Sequence, residues 1–282
     1  MLIFRNRHQL HDHVRSVGGR VALVPTMGNL HAGHEALMRR AAELAPHVVV
    51  SIFVNPTQFG PTEDFATYPR TEAADLERCA TQGVHAVFLP DVVDLYPDGI
   101  PGAVRIALPG LENDLCGAFR PGHFAGVALV VMKLLGLVTP HAAVFGKKDY
   151  QQLLVVRTLA RELCLPTLIE PVATVREADG LALSSRNRYL SVGERRLAPG
   201  LYATLQQVAH ALSVGQHGNN MAELERWALE ALTAQGFLPD YVAIRSPTNL
   251  QPLQAPEQEM VILAAARLGR TRLIDNLEVS LA

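Results

Sequence analysis

The 282-residue chain carries little charge and has no broad excess of positive charge. Charged residues make up 18% of it, and 25 basic against 27 acidic side chains leave a net charge of −2. A general nucleic-acid-binding protein needs a basic surface, so this composition argues against nucleic acid as a partner. A small anionic substrate is compatible with the sequence, because it requires only a few lysines or arginines gathered in one cleft.

Cysteines are few, and no hydrophobic run is long. Cys79, Cys116 and Cys164 are far apart and form no CxxC pair, which argues against a disulfide framework or a structural zinc site. A reducing, cytoplasmic compartment is therefore expected. The longest apolar stretch, residues 124–138, contains Lys133 and is shorter than the roughly 20 residues that cross a bilayer, so we expect a buried helix. The amino-terminal segment lacks the pattern of a secretory signal, so we expect no membrane partner.

The order of the predicted elements indicates two domains. Strand-like and helix-like segments alternate through residue 175, which predicts an α/β domain with a Rossmann-like, doubly wound parallel sheet. Such sheets bind ligands at the carboxyl ends of their strands. Beyond that point helical patterns precede strand patterns, and a capping box at Ser191 predicts one helix running to about Leu212. We therefore expect domains at residues 1–175 and 176–282, the second a smaller α+β domain.

A turn between a buried strand and a helix holds the first candidate segment, residues 25–34, with the sequence PTMGNLHAGH. The backbone N–H groups and positive dipole end of the helix suit a phosphate, and Gly33 allows close approach. His31 and His34 could bind phosphate oxygens and stabilise charge on a leaving group. Two surface histidines at a helix cap, or a zinc pair without a nearby third ligand, are the alternatives.

Amide side chains follow the next buried strand, in the second candidate segment. Asn55 and Gln58 stand at its carboxyl end, where neutral amides could bind hydroxyl and carboxylate oxygens. The alternative is a turn built on Asn-Pro.

Lysines mark the third segment, which again joins a strand to a helix. Gly146 allows close approach, Lys147 and Lys148 offer cationic charge to phosphates, and Asp149 could cap the helix or accept a hydrogen bond from a ribose hydroxyl. A solvated turn is the alternative for two adjacent lysines.

The fourth segment lies beside the predicted domain boundary. Asp179-Gly180 is a tight hairpin signal, and Ser184, Ser185 and Arg186 follow it. Two hydroxyls and an arginine can hold a triphosphate, and the position predicts a mobile clamp.

Together these segments resemble the pantothenate synthetase (pantoate–β-alanine ligase) family of the HIGH-motif nucleotidyltransferase superfamily. The matching stretches, in chain order, are PTMGNLHAGH, SIFVNPTQFG, YPR at 68–70, LCGAFRPGHFAGV, GKKDYQQ and LALSSRNRYL. The HxGH pattern alone would indicate only the superfamily, whereas the glutamine and SSRN segments make the resemblance specific.

The resemblance implies a ligase of pantothenate and coenzyme A biosynthesis. It implies an ATP-dependent condensation of pantoate with β-alanine that gives pantothenate, AMP and pyrophosphate through a pantoyl adenylate. The implied ATP-binding residues are Met27, Gly28, His31, His34, Gly146, Lys147, Lys148, Asp149, Val175, Leu183, Ser184, Ser185 and Arg186. The implied residues of the pantoate and β-alanine pocket are Gln58, Gln152, Asn55 and Tyr68.

The resemblance also implies particular roles. His34 takes the proton-donor position, and the implied catalytic group is His31, His34, Lys148 and Arg186. Lys147 departs from the uncharged or acidic residue expected before the key lysine, so we expect Lys148 to dominate. Asp75 matches an acidic position near Mg²⁺, the second domain acts as a lid over the ATP site, and the chain forms a homodimer.

Two other functions stay open at this point. One is a nucleotidyltransferase that adenylylates a phosphorylated cofactor precursor and stops there. The other is a non-catalytic nucleotide sensor or an RNA-binding relative of class I synthetases.

Overall fold

A computed structural model describes residues 1–61, 63–215 and 220–281. Its packing divides the chain into two compact units. The first comprises Met1–Lys147 and Gln152–Ala173, and the second comprises Lys148–Gln151 and Thr174–Ala282. The change of unit at Thr174 lies close to the boundary expected at residue 175, but the short segment Lys148–Gln151, expected in the first domain, packs with the second unit.

The first unit is built around a parallel sheet. Among the described residues, the sheet has six strands in the order β1-β4-β3-β2-β5-β6, and every neighbouring pair is parallel. In chain order its elements are β1 Leu2–Phe4, α1 Arg7–Ser16, β2 Val21–Thr26, α2 Ala32–Leu44, β3 His47–Ile52, α3 Glu72–Thr81, β4 Ala86–Phe88, α4 Val92–Leu95, α5 Cys116–Phe119, α6 His123–Val138, β5 Ala142–Gly146, α7 Tyr150–Glu162 and β6 Leu168–Val172. Helix α7 begins in the second unit and continues in the first.

The strand order creates a switch point between β2 and β5. The chain leaves β2 towards β3 on one side and leaves β5 towards β6 on the other. A crevice opens at the carboxyl ends of strands whose connections diverge in this way. The segments that follow β2 and β5, with His31 and Gly146, are therefore placed where an open α/β sheet binds its ligands.

Both faces of the sheet are buried, and because side chains of a strand alternate between the two faces, a strand such as β2 contributes to two hydrophobic clusters. Along β2, Val21 and Leu23 join one hydrophobic cluster with α6, while Ala22 and Val24 join another with α2. Helix α6 is buried along much of its length, as the sequence predicts. Within the described part of the chain, no helix is long and apolar enough to span a membrane.

The second unit packs helices against an antiparallel sheet with the strand order β7-β8-β9. Its elements are α8 Val192–Leu197, α9 Gly200–Ser213, α10 Met221–Ala234, β7 Leu238–Arg245, β8 Glu259–Leu268 and β9 Thr271–Ser280. The prediction of one helix from Ser191 to Leu212 is wrong. Pro199 separates α8 from α9, because proline has no N–H to donate and its ring clashes with the preceding turn. The predicted fold class, a doubly wound parallel sheet with a smaller α+β part, is confirmed.

Candidate active site

The turn after β2 needs a glycine. Gly28 has φ +82° and Asn29 has φ +50°, so the chain passes through the left-handed region at two successive residues. A Cβ atom on residue 28 would lie 3.0 Å from both Asp75 Oδ2 and Ile52 Cγ2. Glycine therefore permits both the conformation and the close approach of this turn to α3.

Asp75, on helix α3, stabilises the same turn through hydrogen bonds to its backbone. Its carboxylate is 2% exposed and accepts hydrogen bonds from the backbone N–H groups of Leu30 at 2.7 Å and Asn29 at 2.9 Å, and from the Thr71 hydroxyl at 3.1 Å. Both oxygens thus have protein donors and lie away from solvent. Because protein donors already occupy both oxygens, this carboxylate does not fit the Mg²⁺ position implied for Asp75. Across residues 1–61, 63–215 and 220–281, no group of three His, Cys, Asp or Glu side chains is placed to hold a metal.

The two histidines of the first segment form a reciprocal cap at the start of α2. His31 Nδ1 accepts from the Gly33 N–H at 3.1 Å, and His34 Nδ1 accepts from the His31 N–H at 3.2 Å. The rings lie 4.2 Å apart, centre to centre. Because each Nδ1 accepts, the proton of each neutral ring is on Nε2. The cap therefore provides two oriented N–H donors at a helix N-terminus, an arrangement suited to phosphate oxygens.

A buried amide network joins the first and second segments. Asn55 Nδ2 donates to Gln58 Oε1 at 3.1 Å, and Gln58 Nε2 lies 2.8 Å from Met27 Sδ. Asn55 also donates to the Gly126 carbonyl and accepts from the Tyr96 hydroxyl at 2.8 Å. Asn55 therefore acts as a holder of Gln58, because its donors and its acceptor already have protein partners.

A second set of contacts, which the sequence reasoning missed, holds the backbone of Gln58. His123 Nδ1 donates to the Gln58 carbonyl at 2.8 Å, and Arg120 donates to the same carbonyl at 3.3 Å. Arg120 also donates to His123 Nε2 at 2.9 Å and to both oxygens of Glu63. His123 is therefore protonated on Nδ1 and accepts on Nε2. The signal in the sequence was the RPGH stretch immediately before an apolar helix.

The charge of Glu63 is stabilised within this cluster. Burial by itself raises the pKa of the Glu63 carboxyl, but hydrogen bonds and charge from Arg120, with smaller contributions from Gly60 and His123, lower it to about 2. Glu63 therefore stays ionised and keeps the Arg120 guanidinium in place.

The remaining predicted residues of the first unit surround these networks. Tyr68 is buried and packs edge-on against Phe59, with 5.7 Å between ring centres. Gly146 ends β5 and Lys147 follows it, beside β2 at the switch point. Gln152 lies half-buried in the first turns of α7. Among the described residues, no hydrogen bond joins Gln152 to Gln58.

The second unit carries Lys148 and Asp149. They lie in a 3-10 turn ahead of α7, and Lys148 Nζ is 3.7 Å from Asp149 Oδ1. The Lys148 side chain is 19% exposed. The backbone of Lys148 is held within the unit, since its carbonyl accepts a hydrogen bond from Asn276 Nδ2 at 2.9 Å.

The predicted hairpin and clamp also lie in the second unit. An antiparallel bridge joins Arg176 to Ala182, and Gly180 turns between them with φ +92°. The N–H of Leu183 then donates to the carbonyl of Val175 at 3.0 Å. Ser184 caps a 3-10 helix at Ser185–Tyr189, and its hydroxyl oxygen accepts from the Arg186 N–H. The structure thus brings Leu183 next to Val175, and Ser184, Ser185 and Arg186 follow it directly in the chain.

The fold and these sites define an enzyme of the α/β, nucleotide-binding class. A doubly wound sheet carries a glycine turn and two capping histidines after β2, at its switch point, and a buried amide network after the neighbouring strand β3. These groups suit a phosphorylated nucleotide together with a small substrate that bears hydroxyl or carboxylate oxygens.

The chain belongs to the pantoate–β-alanine ligase family, whose model matches residues 2–278. A pantothenate synthetase of Pseudomonas aeruginosa is 55% identical over 267 residues, covering 95% of this chain and 94% of that protein. The solved pantothenate synthetase of Thermus thermophilus superposes with a TM-score of 0.92 at 45% identity, covering 99% of this chain and all of that one. A pantoate–β-alanine ligase of Francisella tularensis, complexed with β-γ ATP and β-alanine, superposes with a TM-score of 0.81 at 34% identity, covering 98% and 97%. The family predicted from the sequence is confirmed.

Proposed function

We propose that this chain condenses pantoate with β-alanine at the expense of ATP, giving pantothenate, AMP and pyrophosphate. The observation that supports the proposal is a pair of groups that follow the neighbouring strands β2 and β3: the histidine cap of α2, and the buried Met27–Gln58–Asn55 network that joins the two turns. The Gln58 amide suits a hydroxy acid and the histidine N–H groups suit phosphate, and both belong to the first unit. The complex of the Francisella relative supports ATP and β-alanine as substrates.

The first chemical step forms a mixed anhydride. A pantoate carboxylate oxygen attacks the α-phosphorus of ATP, the bond to the bridging oxygen breaks, and pyrophosphate leaves with the bonding electrons. Negative charge grows on the α-phosphate and on the leaving group. We assign the Nε2–H groups of His31 and His34 to this charge, together with the cationic side chains of Lys148 and Arg186.

The second step forms the amide. The β-alanine amine attacks the acyl carbonyl of pantoyl adenylate, AMP leaves with the bonding electrons, and the amine loses its proton. This sequence needs no covalent enzyme nucleophile. Cys79 is unsuited to such a role, because burial and then the charge of Asp75 raise the pKa of its thiol to about 12.

Product analysis tests the proposed reaction. Purified protein is incubated with ATP, pantoate and β-alanine, with each omitted in turn and with Mg²⁺ present or absent. We expect pantothenate and AMP only in the complete mixture. When β-alanine is omitted, we expect pyrophosphate in an amount limited by the pantoyl adenylate that stays bound. Pyrophosphate release that requires an added phosphorylated cofactor precursor instead of pantoate would indicate the precursor-adenylylating enzyme, and tight ATP binding without turnover would indicate the sensor.

We also propose that the chain is a cytoplasmic homodimer and that its reaction requires Mg²⁺. The three free cysteines support the reducing compartment, and family resemblance supports the dimer and the ion. Light scattering coupled to size exclusion tests the dimer, with a mass near 30.7 kDa as the contradicting result.

A further inference from the structure

Two separate segments of the second unit attach to Asp275 and Asn276, which are adjacent residues of β9. One segment carries Lys148, and the other runs from Val175 through the clamp at 184–186. We propose that Asp275 and Asn276 are positioning residues that hold these two segments relative to each other. The proposal rests on the proposed function, because it concerns how the ATP-binding segments of that reaction are held.

Asp275 holds the second of these segments through Arg176. The guanidinium donates to Asp275 Oδ2 at 2.6 Å and to Oδ1 at 2.9 Å, a bidentate ion pair. The Asp275 side chain is 2% exposed and that of Arg176 is 18% exposed. Such a pair is costly to break, because removing one partner leaves a charge buried without compensation.

Arg176 in turn fixes the turn that leads to the clamp. Its guanidinium donates to the Gly180 carbonyl at 3.1 Å and lies 3.5 Å over the Tyr202 ring. A Cβ atom on residue 180 would lie 3.0 Å from the same ring, so the turn packs closely on it. The hairpin is thus held at its bridge, by Arg176 ↔ Ala182, and at its tip.

Asn276 holds the other segment. Its side-chain amide donates to the Lys148 carbonyl at 2.9 Å, while its own carbonyl accepts from Arg176 at 3.2 Å. Asn276 therefore contacts both segments, one through its side chain and one through its backbone. The Asn276 side chain is 6% exposed, so water cannot easily replace this hydrogen bond.

The strand makes this double attachment possible. Asp275 pairs with Ala264 and Asn276 with Leu263 of β8 in a regular antiparallel ladder. Successive side chains of a strand point to opposite faces, so neighbouring residues can hold different segments. The attachments also account for Lys148–Gln151 packing with the second unit although its sequence neighbours pack with the first. In the sequence, the signal is a pair of adjacent polar residues, Asp275 and Asn276, that follows two apolar residues in the stretch LIDNLEV.

Near-isosteric substitutions test the proposal. Asn276→Asp removes the donor to Lys148, and Asp275→Asn removes the charge that pairs with Arg176. For each we expect a loss of about tenfold in kcat/KM for ATP, the size of one lost hydrogen bond. The KM for pantoate should change less than twofold, because the proposed pantoate groups belong to the first unit. The matched control is Asp240→Asn, which weakens the ion pair between Asp240 of β7 and Arg272 of β9; among the described residues, no hydrogen bond or ion pair joins Asp240 to either segment.

A double-mutant cycle separates positioning from general stability. If Asn276 acts through Lys148, Asn276→Asp should cost about tenfold in the wild-type background and less than threefold in Lys148→Ala. Thermal unfolding and circular dichroism accompany every variant. A purely structural role predicts lower melting temperatures with unchanged kinetics per folded molecule, and that result overturns the proposal.

The remaining outcomes are also decisive. Equal losses in Asp240→Asn and Asp275→Asn, or additive losses in the cycle, overturn the proposal. Failure of both β9 variants to fold also overturns it, because the pair would then support the unit as a whole. The wild-type protein is assayed in parallel, and if it makes no pantothenate, the proposed function fails and not this inference alone.

Discussion

The candidate residues of the two units are held in different ways. In the first unit, Asn55 is 1% exposed and Gln58 8% exposed, and side-chain hydrogen bonds fix both. In the second unit, the side chains of Lys148 and Asp149 are 19% and 46% exposed, and a backbone hydrogen bond anchors Lys148. Neutral amides can be buried once they are hydrogen-bonded, whereas a charged ammonium is costly to bury unless another charge compensates it. Lys148 is accordingly positioned through its main chain, while its ammonium stays close to the half-exposed carboxylate of Asp149.

The largest expected effect is on the rate of adenylate formation, and it is tested by replacing one residue from each unit. His34→Ala and Lys148→Ala should each slow adenylate formation roughly 100- to 1000-fold, about 3–4 kcal/mol of transition-state stabilisation, with the fold retained. Single-turnover quench measurements of pyrophosphate release check this. Lys147→Ala should lose less, and His141→Ala serves as a surface control. Near-normal single-turnover rates in both variants would contradict the assignment.

Gln58 and Gln152 sharpen the contrast between substrate pocket and phosphate site. Replacing either by alanine should weaken pantoate binding roughly 10- to 100-fold, because a hydrogen bond to a charged group is lost. ATP affinity should change little. Calorimetric titration with each substrate measures both, with Gln82→Ala as a surface control. Unchanged pantoate affinity with weakened ATP binding would show that the pocket is wrongly assigned.

A substitution of Asp75 distinguishes between two roles of this buried carboxylate, support of the glycine turn and binding of Mg²⁺. Asp75→Asn places an amide N–H opposite backbone donors, so we expect the free energy of unfolding to fall by about 2 kcal/mol. We expect the rate of pantothenate formation to fall as well, because the glycine turn loses its support. The Mg²⁺ concentration giving half-maximal activity should not change. Denaturant unfolding and a Mg²⁺ titration measure these quantities, with Asp12→Asn as a control. A large rise in the Mg²⁺ requirement would restore the ligand role.

The smallest effect lies at the opposite end of the first-unit sheet. Burial, and then the neighbouring His85 and His13, lower the pKa of His47 from its ordinary 6.5. Below about pH 6.5 the unfolded chain therefore binds a proton that the folded chain does not. As the pH decreases from there, the free energy of unfolding decreases as well, until the pH reaches the lowered pKa of folded His47. His47→Gln should flatten this slope and His141→Gln should not. An unchanged slope in His47→Gln, by denaturant unfolding between pH 5 and 8 (about the range where histidine titrates), would contradict this origin.

Much of the fold follows from periodicity. Buried runs that match strands, helical spacing between them and the apolar stretch of α6 are local patterns, so they predict the alternation of elements closely. The break at Pro199 was also readable, because proline disrupts helices whatever surrounds it. The packing of Lys148–Gln151 with the second unit could not be predicted in this way, because it depends on contacts with β9, more than 120 positions away.

The candidate site divides along the same line. Residue types at the ends of strands predicted His31, His34, Gln58 and Lys148, since parallel strands bring their carboxyl ends to one edge. Spacing could not show that Asn55 and Asp75 use their polar atoms internally. Nor could it show that Arg120 and His123 hold the Gln58 carbonyl, since these contacts join residues 62 and 65 positions apart.

Local pattern and motif were enough to predict the family, the alternation of elements and the candidate segments. Long-range packing was needed to show which polar side chains make their hydrogen bonds inside the protein, as Asp75 and Asn55 do. The physical reason is that a buried polar atom must find a partner, and the fold, not the sequence neighbourhood, supplies that partner. Asp75 and Asn276 illustrate this requirement: Asp75 accepts hydrogen bonds from the backbone of the glycine turn, and Asn276 donates one to the carbonyl of Lys148.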